Sequence, residues 1–191
     1  FFILLRKGMF MNINREECCC FTGHRRIESR HLTLLRQKLQ SEITSLAARK
    51  GVKAFMAGGA LGFDTIAAQA VLQARETRFS RLKLILALPC REQNARWSQK
   101  NSEIYYKILE QADQVIYVSE HYTYSCMFQR NRYMVDHSGY CMCYLQPGKT
   151  SGGTAYTVKY AQQQGVPIIN LADMREEPEP WDEIDPYYFT L

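Results

Sequence analysis

The sequence predicts an α/β fold: a Rossmann-like, doubly wound, mostly parallel sheet with helices on both faces. Three observations carry this. Short runs that are apolar throughout, rather than alternating, recur along the chain, as strands buried on both faces require. Helical patterns separate these runs, so successive strands need crossover connections. Three of the runs end in glycine turns that lead toward helices, and in such sheets ligands bind at the carboxyl ends of the strands.

The elements follow in order. Phe1 to Phe10 is apolar apart from Arg6, Lys7 and Gly8 and too short to span a bilayer. Its basic pair follows the apolar run, the reverse of a signal peptide. Residues 1–17 are expected to be a leader of little order, with Met9 or Met11 as the native start; an intact N-terminal mass beginning at Phe1 would refute that start.

The first core strand runs from Cys18 to Thr22 and breaks at Thr22-Gly23-His24-Arg25-Arg26. A helix is predicted over about Ser29 to Lys50, with Leu32, Leu35, Leu39, Ile43 and Leu46 on one stripe. The second strand, Lys53 to Ala57, enters the turn Gly58-Gly59-Ala60-Leu61-Gly62-Phe63-Asp64 and a helix over Asp64 to Arg75. Strands at Leu82 to Leu88, Gln114 to Val118, Tyr140 to Tyr144 and Pro167 to Asn170 follow, with helices over Lys100 to Gln111, Tyr124 to Asp136 and Gly153 to Gln164.

Glycine turns before helices leave bare backbone N–H groups where an anion, most often a phosphate, can sit. The turn from Gly58 through Gly59 and Gly62 to Asp64 fits neither the dinucleotide fingerprint G-x-G-x-x-G nor the P-loop G-x-x-x-x-G-K-[ST]. Asp64 either caps its helix or accepts hydrogen bonds from a ligand hydroxyl such as ribose, and it is the one weak catalytic candidate. Gly23, His24 and Arg25 form either a plain turn or a phosphate contact. Gly152, Gly153 and Thr154 offer backbone donors and a hydroxyl at a helix start, with a simple threonine N-cap as the competing reading.

Met127, Arg130 and Met134 share one helical face, which carries Arg130 inward beside an apolar stripe. A core-facing arginine needs an anionic partner: Asp113 or Asp64 within the chain, or a bound phosphate. Arg132 lies on the same helix. Trp97, in the polar loop after the third strand, is either a lid residue packing on the core or a stacking surface for a base.

At 191 residues the chain suits one domain, placed at 18–171, followed by an acidic extension over 172–191. From 171 onward seven acidic residues face Arg175 alone, a local net charge of −6 that leaves +11 on the rest of a chain totalling +5. Such a body attracts polyanions, and the extension reads as a solvated tail or a cover. Seven cysteines sit mostly in apolar runs, and their odd number argues for reduced thiols and a cytoplasmic protein rather than a disulfide framework. No Cys-x-x-Cys pair or Cys/His cluster with ligand spacing occurs, so no metal is expected.

Cys20-Phe21-Thr22-Gly23-His24-Arg25, Gly58 to Asp64, Arg96-Trp97, Ala112-Asp113, Arg130 to Asp136 and Gly152-Gly153-Thr154-Ala155-Tyr156-Thr157 together resemble the YpsA-like family of the SLOG superfamily, in the same order over about residues 18 to 171. The resemblance implies a Rossmann-like fold and a nucleotide-derived ligand, of the ADP-ribose or NAD-derivative class, over the glycine loops. It implies no settled reaction and no fixed cofactor. Two related families set the alternatives. The LOG phosphoribohydrolases, which act on nucleoside 5′-monophosphates, carry P-G-G-x-G-T-x-x-E; here Gly152-Gly153-Thr154 is similar, but Thr157 stands where the glutamate would and offers no carboxylate. DprA, which binds single-stranded DNA, has a stretch similar to Gly59 to Asp64. The expectation is therefore a nucleotide-ligand sensor or regulator, with a nucleotide-processing enzyme and a single-stranded DNA binder as alternatives, no membrane partner, and a homo-oligomer among the candidate partnerships.

Overall fold

The computed structural model describes residues 4–7 and 13–174. Seven strands form one sheet: β1 (Leu4–Lys7), β2 (Cys18–Gly23), β3 (Ala54–Ala57), β4 (Lys83–Leu88), β5 (Gln114–Tyr117), β6 (Tyr140–Tyr144) and β7 (Ile168–Asn170), in the order β1-β5-β4-β3-β2-β6-β7. The strands β2 to β7 run parallel, with Cys20 beside Met56 on one side and Cys141 on the other. Only β1 is antiparallel, pairing with β5. The mostly parallel, doubly wound fold is as the sequence predicts.

The strand β1 lies inside the stretch expected to be a leader of little order. Its pairing to β5 satisfies backbone groups of what would otherwise be an open sheet edge, a need that sequence periodicity does not report. Further along that stretch Arg15–Glu17 forms a single 3-10 turn. At the other end Leu171 and Ala172 are buried, so the core continues to the edge of the acidic extension; residues 175–191 of that extension lie outside the described residues.

Five helices connect the strands: α1 (Leu32–Lys50), α2 (Phe63–Thr77), α3 (Gln99–Gln111), α4 (Cys126–Asp136) and α5 (Gly153–Gln163). The α1 helix starts three residues later than the sequence predicts, because Ser29–His31 is wound as a 3-10 turn, where His31 Nδ1 lies 3.1 Å from the Tyr144 hydroxyl. The α3 helix is capped by Ser98, whose Oγ accepts from the Asn101 N–H at 3.4 Å.

The helices cover both faces of the sheet. On one, the predicted stripe of α1 buries Leu35, Leu39, Ile43 and Leu46, and α2 and α3 bring Phe63, Val71, Tyr105 and Ile108. Phe21 stacks on Phe55 at 5.7 Å and Phe63 on Tyr144 at 6.1 Å. On the other, Met134, Val135 and Ala161 from α4 and α5 pack on Cys18, Cys20, Met56, Ile85, Ile116 and Cys141. Each fully buried leucine or phenylalanine contributes roughly 1.5–3 kcal/mol of transfer free energy, so these two layers fix the helices that carry the site.

All seven cysteines are unbridged and buried. Burial pushes the Cys18 and Cys143 thiols up to about 12, so they remain protonated and act as small apolar residues.

Candidate anion-binding cleft

The chain order reverses at β2. From there the chain steps outward through β3, β4 and β5, and then returns to place β6 on the other side. Helices start on opposite faces at such a switch point, which leaves a crevice beyond the strand ends. Here that crevice is a cleft of about 320 Å³ lined by Gly23, His24 and Arg25 after β2, Ala60 and Asp64 after β3, Met127, Arg130 and Asn131 of α4, and Gly153 and Thr154 of α5. The three glycine turns legible in the sequence thus meet at one place.

The floor is a buried ion pair. Asp64 is 5% exposed and Arg130 6%. The Arg130 Nη1 stands 3.5 Å from Asp64 Oδ2, at the outer limit of a hydrogen bond, and the Arg130 Nε has no partner among the described residues. The sequence leaves the partner of Arg130 open between Asp64 and Asp113, and the structure settles it. Asp113 is engaged by Arg75 and Lys83, each at 3.0 Å, and accepts the Leu84 N–H at 2.9 Å.

Asp64 does not occupy the N-cap of α2, which is Gly62. Instead its Oδ2 accepts the Ala60 N–H at 3.4 Å. Burial raises the Asp64 carboxyl above its ordinary value, while Arg130, the Ala60 and Gly58 N–H groups and Arg25 pull it back. Burial likewise lowers Arg130, opposed by Asp64.

The glycines divide by role. A Cβ on Gly58 would overlap the guanidinium of Arg130, so this residue makes room for the ion pair. Gly62, at φ +79°, packs against the carbonyls of His24 and Arg25, and Phe63 N–H donates to His24 O at 3.1 Å; together they tie the turn after β3 to the turn after β2. Gly23 gives way to the Phe63 ring, while Gly59 faces Leu88 and Gln93 outside the cleft. Of the glycines in the three turns named as site residues, Gly152 and Gly153 look onto open space. Gly152 is the N-cap of α5 and supplies no side-chain acceptor, so the first N–H groups of that helix lack the usual capping partner. Thr154 sits inside the first turn and not at the cap.

His24 is not a cation here. Its Nε2 accepts the Gln146 N–H at 3.2 Å, and burial first, Lys149 second, lower its pKa from 6.5. The folded state thus resists protonation of His24, and the associated stability is present above pH 6.5 and is lost as the pH falls through the lowered folded value. Urea midpoints measured from pH 8 down to 5 should decline through this window, and His24→Gln should flatten that part of the decline.

Two predicted site residues stand apart. Trp97 packs edge-on against Tyr105 at 5.4 Å, outside the cleft lining. Arg132 is exposed; its Nε donates to the Tyr156 hydroxyl at 2.7 Å and its guanidinium lies 5.3 Å from the Tyr160 ring centre. Phe21, Thr22, Ala60, Met127 and Asn131 line the cleft without having been expected there. Asn131 was within reach of sequence reasoning, since Met127, Arg130 and Asn131 fall on one face at i, i+3 and i+4.

The sequence matches YpsA, the YspA SLOG family, over residues 19–174. The chain belongs to this family. The UPF0398 protein of Bacillus pumilus is 30% identical over 156 residues, covering 79% of this chain and 82% of that one. The SPbeta prophage-derived protein YoqJ of Bacillus subtilis is 30% identical over 141 residues, 68% and 81% of the two chains, and the UPF0398 protein YpsA of the same organism is 29% identical over 134 residues, 66% and 73%.

Among solved structures the YpsA-family fold is similar to DNA processing protein A of Helicobacter pylori, solved for its single-stranded DNA binding mode, with a TM-score of 0.59 at 20% identity. It is also similar to DprA of Streptococcus pneumoniae, with a TM-score of 0.58 at 16% identity. This chain is covered to 80% in both, but it spans only 64% and 49% of those chains, so the likeness shows the fold alone. Thr157 is buried in α5 and is not part of the cleft lining; its Oγ1 donates to Gly153 O at 2.8 Å, which commits the hydroxyl to its own helix. Among the described residues no group of three or more His, Cys, Asp or Glu is placed to hold a metal, and no helix is long and apolar enough to cross a membrane.

Proposed function

We propose that the cleft binds a phosphate-bearing, nucleotide-derived small ligand, of the ADP-ribose or NAD-derivative class, and that the protein is a sensor or regulator inside the cytoplasm. The observation that carries this reading is Arg130: a buried guanidinium with one long contact to Asp64, an unpartnered Nε, and the uncapped N-terminus of α5 across the same cleft. A phosphate placed between them takes up charge and donors that the chain itself leaves underused. Asp64, with its carboxylate beside that position, is suited to accept from a ribose hydroxyl. Binding is favoured over turnover because Thr157 offers no carboxylate and its hydroxyl is already engaged.

Thermal shift with AMP, ADP-ribose, NAD and other nucleoside monophosphates tests this. At a hundredfold excess over Kd a ligand adds about 2.7 kcal/mol, which for a domain of this size raises Tm by roughly 5–10 °C. Arg130→Ala should abolish the shift, and Arg25→Ala, at an exposed position, should weaken it without moving the unliganded Tm. No shift with any of these ligands overturns the reading.

A second reading, single-stranded nucleic acid binding, is supported by the +11 body, by the exposed rings of Tyr122 and Tyr124 ahead of α4, and by the likeness in fold to DNA processing protein A of Helicobacter pylori. It predicts retention of single strands in a gel with a steep loss as salt rises; absent or salt-independent retention excludes it.

A further inference from the structure

Beside the cleft lies a second, larger groove of about 620 Å³, and the two share Arg25. The wall between them is fixed. The turn that bears Arg25 is held by the Phe63 N–H to His24 O bond at 3.1 Å, and its carbonyls press on Gly62, where a Cβ would come within 2.4 Å of Arg25 O. Arg25, Arg26 and Arg36 line this groove, and none of the three forms a salt bridge among the described residues. The groove also contains apolar surface from Ile66 and Ile104, with the amide of Gln69 beside it. Unpaired guanidinia over an aliphatic floor with an amide at hand match one nucleoside and its phosphate: charge for the phosphate, apolar area for a ring, a donor and acceptor for its polar edge.

Resting on the reading of the first cleft given above, we infer that the two cavities form one bipartite site for a ligand of two ribose-bearing halves, at least one of them a nucleoside, joined by a pyrophosphate. One phosphate sits between Arg130 and the N-terminus of α5, the bridge passes Arg25, and the second half occupies the groove of Arg26 and Arg36. A long single strand is the less suitable occupant, because sequence-tolerant strand binding uses aromatic stacking platforms and the groove is lined by aliphatic side chains and amides in place of aromatic rings.

Titration calorimetry with AMP, ADP-ribose and an oligothymidylate, on the wild type and on Arg36→Ala, tests the inference. Arg36 lies on α1, is exposed, and takes no part in the first cleft. The wild type should bind ADP-ribose at least about tenfold more tightly than AMP, the effect of one charge-assisted contact. Arg36→Ala should bring ADP-ribose to the affinity of AMP and leave AMP within about twofold, as a contact outside the first cleft predicts. AMP binding with ADP-ribose no tighter, or an Arg36→Ala variant that keeps the preference, overturns the bipartite site and leaves the first cleft standing. Tight oligothymidylate binding without that preference overturns it in favour of a strand. Failure of both AMP and ADP-ribose overturns the proposed function and this inference with it.

Discussion

Gly58→Ala is expected to lose about 3 kcal/mol of stability, read as a fall in the urea midpoint, and with it the response to nucleotide ligands. The added Cβ would overlap Nη1 of Arg130 and come within 2.7 Å of Asp64 Oδ2. Either the guanidinium is expelled, which leaves Asp64 buried without its counter-charge, or the turn after β3 shifts against Leu88 and Gln93. Overpacking alone costs about 1–3 kcal/mol and breaking a buried ion pair about 3–5 kcal/mol; the carboxyl can relieve part of the second by taking a proton, which sets the expectation near the overlap of the two ranges. An alanine variant with the wild-type midpoint and ligand response would mean that Arg130 does not fill the space beside Gly58.

Removing either member of the pair should also be costly, with different pH signatures. In Arg130→Ala the Asp64 carboxyl loses the strongest influence holding its pKa down, in a site where burial already raises it. Its folded pKa then stands further above the unfolded value of 3.8, so the folded state binds the proton more tightly. The penalty, about 3 kcal/mol near neutral pH, should therefore be full above the raised folded pKa and shrink as the pH falls through it toward 3.8. In Asp64→Asn the charge left behind is a guanidinium, which does not give up its proton, so a loss of similar size should persist across the same pH range. Chemical denaturation of both variants at several pH values checks this. A pH-independent loss in Arg130→Ala would show that Asp64 does not carry the linkage.

Much of this arrangement is legible in the amino-acid order. The runs Cys18 to Phe21 in β2, Ala54 to Ala57 in β3, Leu84 to Leu88 in β4 and Tyr140 to Tyr144 in β6 are continuously apolar because both faces are covered, and that continuity announces them. The stripe of Leu35, Leu39, Ile43 and Leu46 gives α1 by its period. The inward turn of Arg130 follows from its spacing to Met127 and Met134. What the sequence does not reveal depends on contacts between distant segments. Asp64 and Asp113 are equally acidic in the sequence, and only the sheet order puts Arg75 and Lys83 on one and Arg130 on the other. Gly58 reads as part of an anion cradle, yet the space above it belongs to an arginine from α4. His24 reads as a plain turn residue or a phosphate contact, yet its Nε2 accepts the Gln146 N–H and burial lowers its pKa. Trp97 can be read either as a lid or as a base platform, and it is Tyr105 that draws it onto the core side. The pairing of β1 rests on backbone hydrogen bonds, to which side-chain patterning is blind.

The central claim is that an anion is held between Arg130 and the uncapped start of α5. A crystal structure of the protein with bound AMP tests it most directly. The account predicts the phosphate over Gly153 and Thr154, its oxygens within about 3 Å of their N–H groups and of the Arg130 guanidinium, with the ribose toward Asp64. AMP bound with its phosphate elsewhere, while Arg130 keeps only its contact to Asp64, would contradict it.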